Sequence, residues 1–150
     1  MLAGVTSLEI LIVQILTSFV VVLVSVTETV LLAFFVIDLT IIGNGLTLII
    51  ILFLACAAGS FAGILLSCAT DDIKKISMIT LACGQVLSNL SGAVWPLEGQ
   101  HYILRYFSFL MPITLPSISI RDVMLRGYAI GEKSVLTGIS VLMAWMVACL

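Results

Sequence analysis

The sequence predicts an all-α integral membrane domain: four transmembrane helices, with a proline-broken helical segment re-entering the membrane before the last span. Composition is the first reason. Of 150 residues, 62% are hydrophobic and 9% charged, with a mean hydropathy of +1.33. A soluble domain carries roughly 25% charge and about half apolar residues. The second reason is the division into apolar runs, at about 10–37, 46–68, 77–94 and 134–150, with short connections between them. The third is that all three prolines, Pro96, Pro112 and Pro116, fall in the stretch 95–128. Proline breaks or starts helices, and the pieces between these breaks, Tyr102–Leu110 and Ser117–Leu125, are too short to cross a hydrocarbon core that needs about 20 helical residues. They read as interfacial or re-entrant helices whose backbone other helices must satisfy.

The first run would make a helix of about 42 Å, longer than the core and therefore tilted or protruding. At 100° per residue, Gln14, Thr17, Ser18, Ser25, Glu28 and Thr29 share an arc of roughly 120°, opposite a lipid-suited face. Gln14, Ser18, Ser25 and Glu28 are thus candidates for a polar path or a helix interface. A carboxylate at the depth of Glu28 is functional, paired or protonated if the bilayer reaches it, and ordinary if the helix overshoots into the headgroups.

Asn44-Gly45 marks a turn. In the second run Ala55, Gly59 and Gly63 recur at four-residue spacing, a small-residue ridge of the kind that lets helices approach closely in lipid. The third run, with Thr80, Gly84, Gln85, Ser88 and Asn89, is too polar for lipid and is expected inside a bundle. Its sequon, Asn89-Leu90-Ser91, lies within the span and is not expected to be glycosylated. The fourth run is barely long enough and ends with the chain, so the sequence is expected to be part of a longer protein.

Several function classes are excluded or unsupported. A net charge of −2 offers no basic surface for nucleic acid. The four cysteines sit in apolar runs without metal-type spacing and read as buried thiols, and no metal site is expected. The start lacks the positive region of a signal peptide. No phosphate-binding G-x-x-x-x-G-K-[ST] and no catalytic constellation occurs. Lys74 and Lys75 would lie on one side of the membrane, and Arg105, Arg121, Arg126 and Lys133 on the other. Positive charge alone would therefore place the proline-broken stretch in the cytoplasm.

The run Ser91-Gly92-x-x-Trp95-Pro96-Leu97-Glu98-Gly99, then Leu104-Arg105, Ser108, Pro112-x-Thr114 and Arg121-x-x-Met124-Leu125-Arg126-Gly127, resembles the C-terminal part of type-2 ABC transporter membrane domains. It is most like the G and H subfamilies and their bacterial relatives. Ala3-Gly4-Val5 with Glu9 resembles the segment after the cytoplasmic coupling helix, and Gly43-Asn44 the turn between the next two spans. The likeness covers nearly the whole chain. It implies the last four of six spans, with 69–76 cytoplasmic and the proline-broken stretch outside, against the charge count. Trp95, Pro96, Glu98, Gly99, Arg105, Pro112, Arg121, Arg126 and Gly127 would then build an outer gate. Gln100-His101 departs from the Met-Pro that relatives often carry; His101 reads as a surface turn residue.

The resemblance further implies an exporter permease for a lipid or hydrophobic small molecule, multi-pass in the plasma membrane. It would dimerise with another ABC half-transporter, and a nucleotide-binding domain absent from this chain would supply ATP and Mg. The rival readings are a non-transporting regulatory subunit and an ATP-independent channel or carrier that uses Glu28. An intramembrane enzyme ranks last, for want of a catalytic pair.

Overall fold

The computed structural model describes residues 6–38, 42–68, 72–92 and 96–149. Trp95 and the segment 1–5 lie outside the described residues. Among the described residues there are six α-helices and no strand. Helix α1 (Ser7–Leu31) begins at a capping box: Glu9 N–H donates to Thr6 Oγ1 at 3.4 Å, and Thr6 N–H to the Glu9 carboxylate at 2.9 Å. Two of the helix's orphan donors are thereby satisfied. A wider π turn (Leu32–Val36) continues it. Helix α2 (Gly45–Cys68) returns antiparallel, with Val22 and Val26 of α1 buried and Phe19 set edge-on to Phe53 at 6.2 Å.

Helix α3 (Ile73–Leu90) starts at Asp72, whose carboxylate accepts from Lys74 N–H. It begins and ends about a turn earlier than the predicted 77–94. The cap at Asp72 and the left-handed Gly92 (φ 80°) fix both ends, so Lys74 and Lys75 belong to its first turn. A 3-10 turn (Leu97–Gly99) leads to α4 (Tyr102–Leu110), which matches the predicted piece, and α5 (Thr114–Arg126) follows at a bend of 88°. Pro112 makes the break. Pro116 does not, because it occupies the first turn of α5, where no intrahelical donor is needed. Helix α6 (Lys133–Ala148) closes the described chain.

The core is the junction of α2, α5 and α6: Leu48 and Ile51 meet Val123, Val135 and Leu142. Thus α5, expected at an interface, is the central helix, with Thr114, Pro116, Ser119, Asp122 and Val123 buried. Helix α3, expected inside the bundle, is peripheral, and none of its residues is buried.

Among the described residues, fewer than four helices have the length and hydropathy of a span on their own. By length and composition α1 with its π turn and α2 cross a membrane alone, and α4 with α5 makes a third only if the bent pair is one span. Lys74, Lys75, Gln85 and Asn89 make α3 too polar to qualify. The 16 residues of α6 rise only about 24 Å, short of a core of about 30 Å.

Candidate functional site

The polar arc of α1 divides when α2 packs against it. Ser18 and Ser25 are half-buried on the α2 side. Gln14, Thr17 and Ser18 border an open groove of 240 Å³ whose far wall is Ser60, Gly63 and Ser67. Thr17 donates to the Val13 carbonyl at 2.8 Å and Ser60 to the Cys56 carbonyl at 3.1 Å, so these hydroxyls are satisfied by their own helices. Gln14 has no hydrogen bond among the described residues. Glu28 turns away from α2, exposed beside Thr27 and Leu31, with no ion pair among the described residues.

Among the described residues the glycines of the small-residue ridge make no tight helix contact. A Cβ added at Gly59 or Gly63 would meet nothing within 4 Å. Gly59 instead opens a cavity of 280 Å³ between α2, the α4–α5 break and Trp145 of α6. Ala55 packs against the core. The close approach lies elsewhere: a Cβ at Gly138 of α6 would collide with Ser119 of α5. The signal that could have marked this contact is Ser134-x-x-x-Gly138, two small residues at four-residue spacing.

The last turns of α5 gather three other parts of the chain. Asp122 accepts from the Ser134 hydroxyl and pairs with Arg126 at 3.2 Å, while Ser119 donates to the Ser134 carbonyl at 2.7 Å. These contacts fix α5 to the start of α6. Arg121 points the other way and donates to the Gly92 carbonyl at 2.6 Å, beyond the end of α3. The α1–α2 connection docks through Ile42 N–H on the Met124 carbonyl at 3.2 Å. Gly43 lies so close to the Val123 carbonyl that no Cβ fits; the same Cβ would stand 3.2 Å from Gly127 Cα. Gly127 (φ 70°) ends α5 with its N–H on the Asp122 carbonyl. A left-handed cap is what glycine adopts without strain.

Helix α3 presents Ser77, Thr80, Gly84 and Gln85 on its exposed surface. Ser77 bonds back to the Ile73 carbonyl at 2.9 Å. Among the described residues no helix covers this face.

The ABC-2 type transporter family model matches residues 1–125, most of the chain and all of the elements through α5. The chain belongs to the ABC-2 type transporter family. It is 27% identical over 129 residues to ABC transporter G family member 20 of Dictyostelium discoideum, covering 83% of this chain and 17% of that protein. The chain therefore spans under a fifth of that relative's length. No solved structure matches it. Family membership and the long apolar helices make this an integral membrane protein.

On this ABC-2 chain the residues proposed for an outer gate fall into two groups. Arg121, Arg126 and Gly127 belong to the clamp on α5. Pro96, Glu98 and Arg105 are exposed, Gly99 closes the 3-10 turn on the Pro96 carbonyl at 3.1 Å, and Pro112 is half-buried at the break. His101 is exposed and stacks on Tyr102 at 4.4 Å. Ser119 and Ser134 of the clamp were not singled out by the sequence. Of the nearby pair in which the Ser108 hydroxyl donates to Gln100 Oε1 at 2.9 Å, Ser108 stood in the family-like run and Gln100 was marked only by the departure from Met-Pro. No G-x-x-x-x-G-K-[ST] phosphate loop occurs in the sequence, and among the described residues no three of His, Cys, Asp or Glu lie together.

Proposed function

We propose that this chain is permease structure of an ATP-binding-cassette exporter, contributing to a translocation path for a lipid or hydrophobic small molecule. The observation that carries this is α3, whose Ser77, Thr80, Gly84 and Gln85 stand exposed in a family of transporters. Polar side chains in a membrane helix face a bundle interior or a water-filled cavity, not lipid. The uncovered side of α3 then faces the path, shared with a second half-transporter. The Gln14–Ser18 edge of α1 and Glu28 are secondary candidates for path or interface. The end of the molecule that holds the α5 clamp faces outward and 69–76 faces the cytoplasm, in a plasma-membrane protein. ATP and Mg act in a nucleotide-binding domain outside this chain, whose closure would tilt the helices and switch access.

The test is transport of a hydrophobic fluorophore by the complete protein in sealed vesicles with ATP. Thr80→Leu with Gln85→Leu should lower transport at least tenfold while leaving assembly intact. Unchanged transport would remove α3 from the path, and transport that persists without ATP would remove the exporter reading.

A further inference from the structure

Helix α3 is held to the chain mainly at one end. None of its residues is buried, and of its half-buried ones Leu87, Ser88 and Leu90 lie in the last turn, with Ile76 near the start. Its last turn is different. The final carbonyls of a helix have no partner in their own helix, and here two side chains from elsewhere reach that end. Gln100 Nε2 donates to the Leu90 carbonyl at 3.3 Å, and Arg121 Nη2 to the Gly92 carbonyl at 2.6 Å. Both donors are held in turn. The Ser108 hydroxyl of α4 donates to Gln100 Oε1 at 2.9 Å, and Arg121 rises from α5, which Asp122 fastens to Ser134. Donors at a helix C-terminus also complement its dipole. The turn is built for glycine: Gly92 has φ 80°, and a Cβ there would lie 2.7 Å from Leu97 Cγ.

We infer that Gln100 and Arg121 form a two-point latch that pins the Gly92 end of α3 to α4 and α5. Helix α3 then pivots at Ser91–Gly92 and carries its Thr80–Gly84 face with it. The Gln100 half replaces the Met expected at that position from family resemblance, and methionine could not donate to a carbonyl. The inference rests on the proposed path only for its consequence in transport; the latch itself needs only the geometry.

Hydrogen exchange on the full chain in lipid nanodiscs tests it. Arg121→Ala should speed exchange at residues 88–92 on the order of tenfold, as loss of a charge-assisted bond opens that turn. Gln100→Leu should do so by less, and Arg121→Lys should restore part of the protection. Ser134→Ala should instead loosen the first turn of α6 and leave 88–92 unchanged. Unchanged exchange at 88–92 in Arg121→Ala overturns the latch, as does equal loosening of α6. With the native cysteines replaced, a spin-label pair at exposed Met78 and Leu136 should show a broader distance distribution in Arg121→Ala; an unchanged distribution overturns the pivot. Transport separates the two readings. Faster exchange with unchanged transport keeps the latch and removes α3 from the path.

Discussion

Alanine in place of Gly138 or of Gly59, one at a time, tests which glycine the packing needs. Both are helical, so alanine gains about 1 kcal/mol of helix propensity wherever its methyl group fits. At Gly59 nothing lies within 4 Å of the added Cβ, and Gly59→Ala should stabilise by up to about 1 kcal/mol. At Gly138 the methyl would stand 3.0 Å from Ser119 Cβ and 3.4 Å from the Leu115 carbonyl, and would strike Ser119 Oγ. Overpacking of this kind costs about 1–3 kcal/mol. Displacing Ser119 also weakens its bond to the Ser134 carbonyl at 2.7 Å, worth about 1 kcal/mol. After the propensity gain, Gly138→Ala should destabilise by about 1–3 kcal/mol. Thermal unfolding in nanodiscs at one scan rate should therefore separate the two variants by about 5 °C or more. A Gly138→Ala melting point at or above that of the unmodified chain would refute the close α5–α6 contact. If Gly59→Ala fell as far as Gly138→Ala, the ridge of Ala55, Gly59 and Gly63 would be packed against another helix after all.

Three further outcomes follow from local geometry. Gly127→Ala forces a methyl-bearing residue into φ 70° and should lower stability by about 1 kcal/mol, read as a lower melting point. Ser134→Ala leaves the buried Asp122 with one partner fewer, a loss of about 1–2 kcal/mol in the same assay. Thr6→Ala removes the capping box of α1; it should raise exchange in the first turn of that helix, with an effect of about 1 kcal/mol, while the α2–α5–α6 core stays protected.

The sequence carried the helices better than their company. Apolar runs marked α1 and α2 because lipid-facing helices need no partner to be recognised: length and hydropathy suffice. Pro112 located the break, and Tyr102–Leu110 was recovered with both ends correct. Pro116 misled because a proline's effect depends on which turn of the helix it occupies, and spacing alone does not say. Helix α3 was recognised as unusually polar but assigned to the interior, because polarity shows that a face avoids lipid without showing what it faces. The clamp was legible in part: the family-like runs marked Gly43, Arg121, Arg126 and Gly127, but not what they hold. Ser119, Ser134 and Gly138 are common residue types in a membrane helix, and only the fold brings them together with Asp122. The small-residue ridge had a clear pattern, yet the pattern specifies that close approach is possible and not that it happens.

The clamp also changes how the charge asymmetry reads. Counting Arg105, Arg121, Arg126 and Lys133 against Lys74 and Lys75 favours a cytoplasmic proline-broken stretch. The geometry groups the first four at one end, because Ile42, Gly92 and Ser134 are all tied to the last turns of α5. It also engages two of them. Arg126 is paired with Asp122, and Arg121 donates to the Gly92 carbonyl at the end of a helix. Arginines bound this way are part of the fold, and they cost less to carry across a bilayer than free cations. By the same rule Lys75, 3.8 Å from Asp72, also drops out, so Arg105 and Lys133 remain against Lys74 and the excess falls from two charges to one. With the excess cut to one charge, the count no longer decides the orientation. Arg121→Ala with Arg126→Ala should therefore leave the topology unchanged when glycosylation sites are engineered into 128–132. If the double variant inverted the chain, the two arginines would be acting as free topogenic charges and the clamp would form only after insertion.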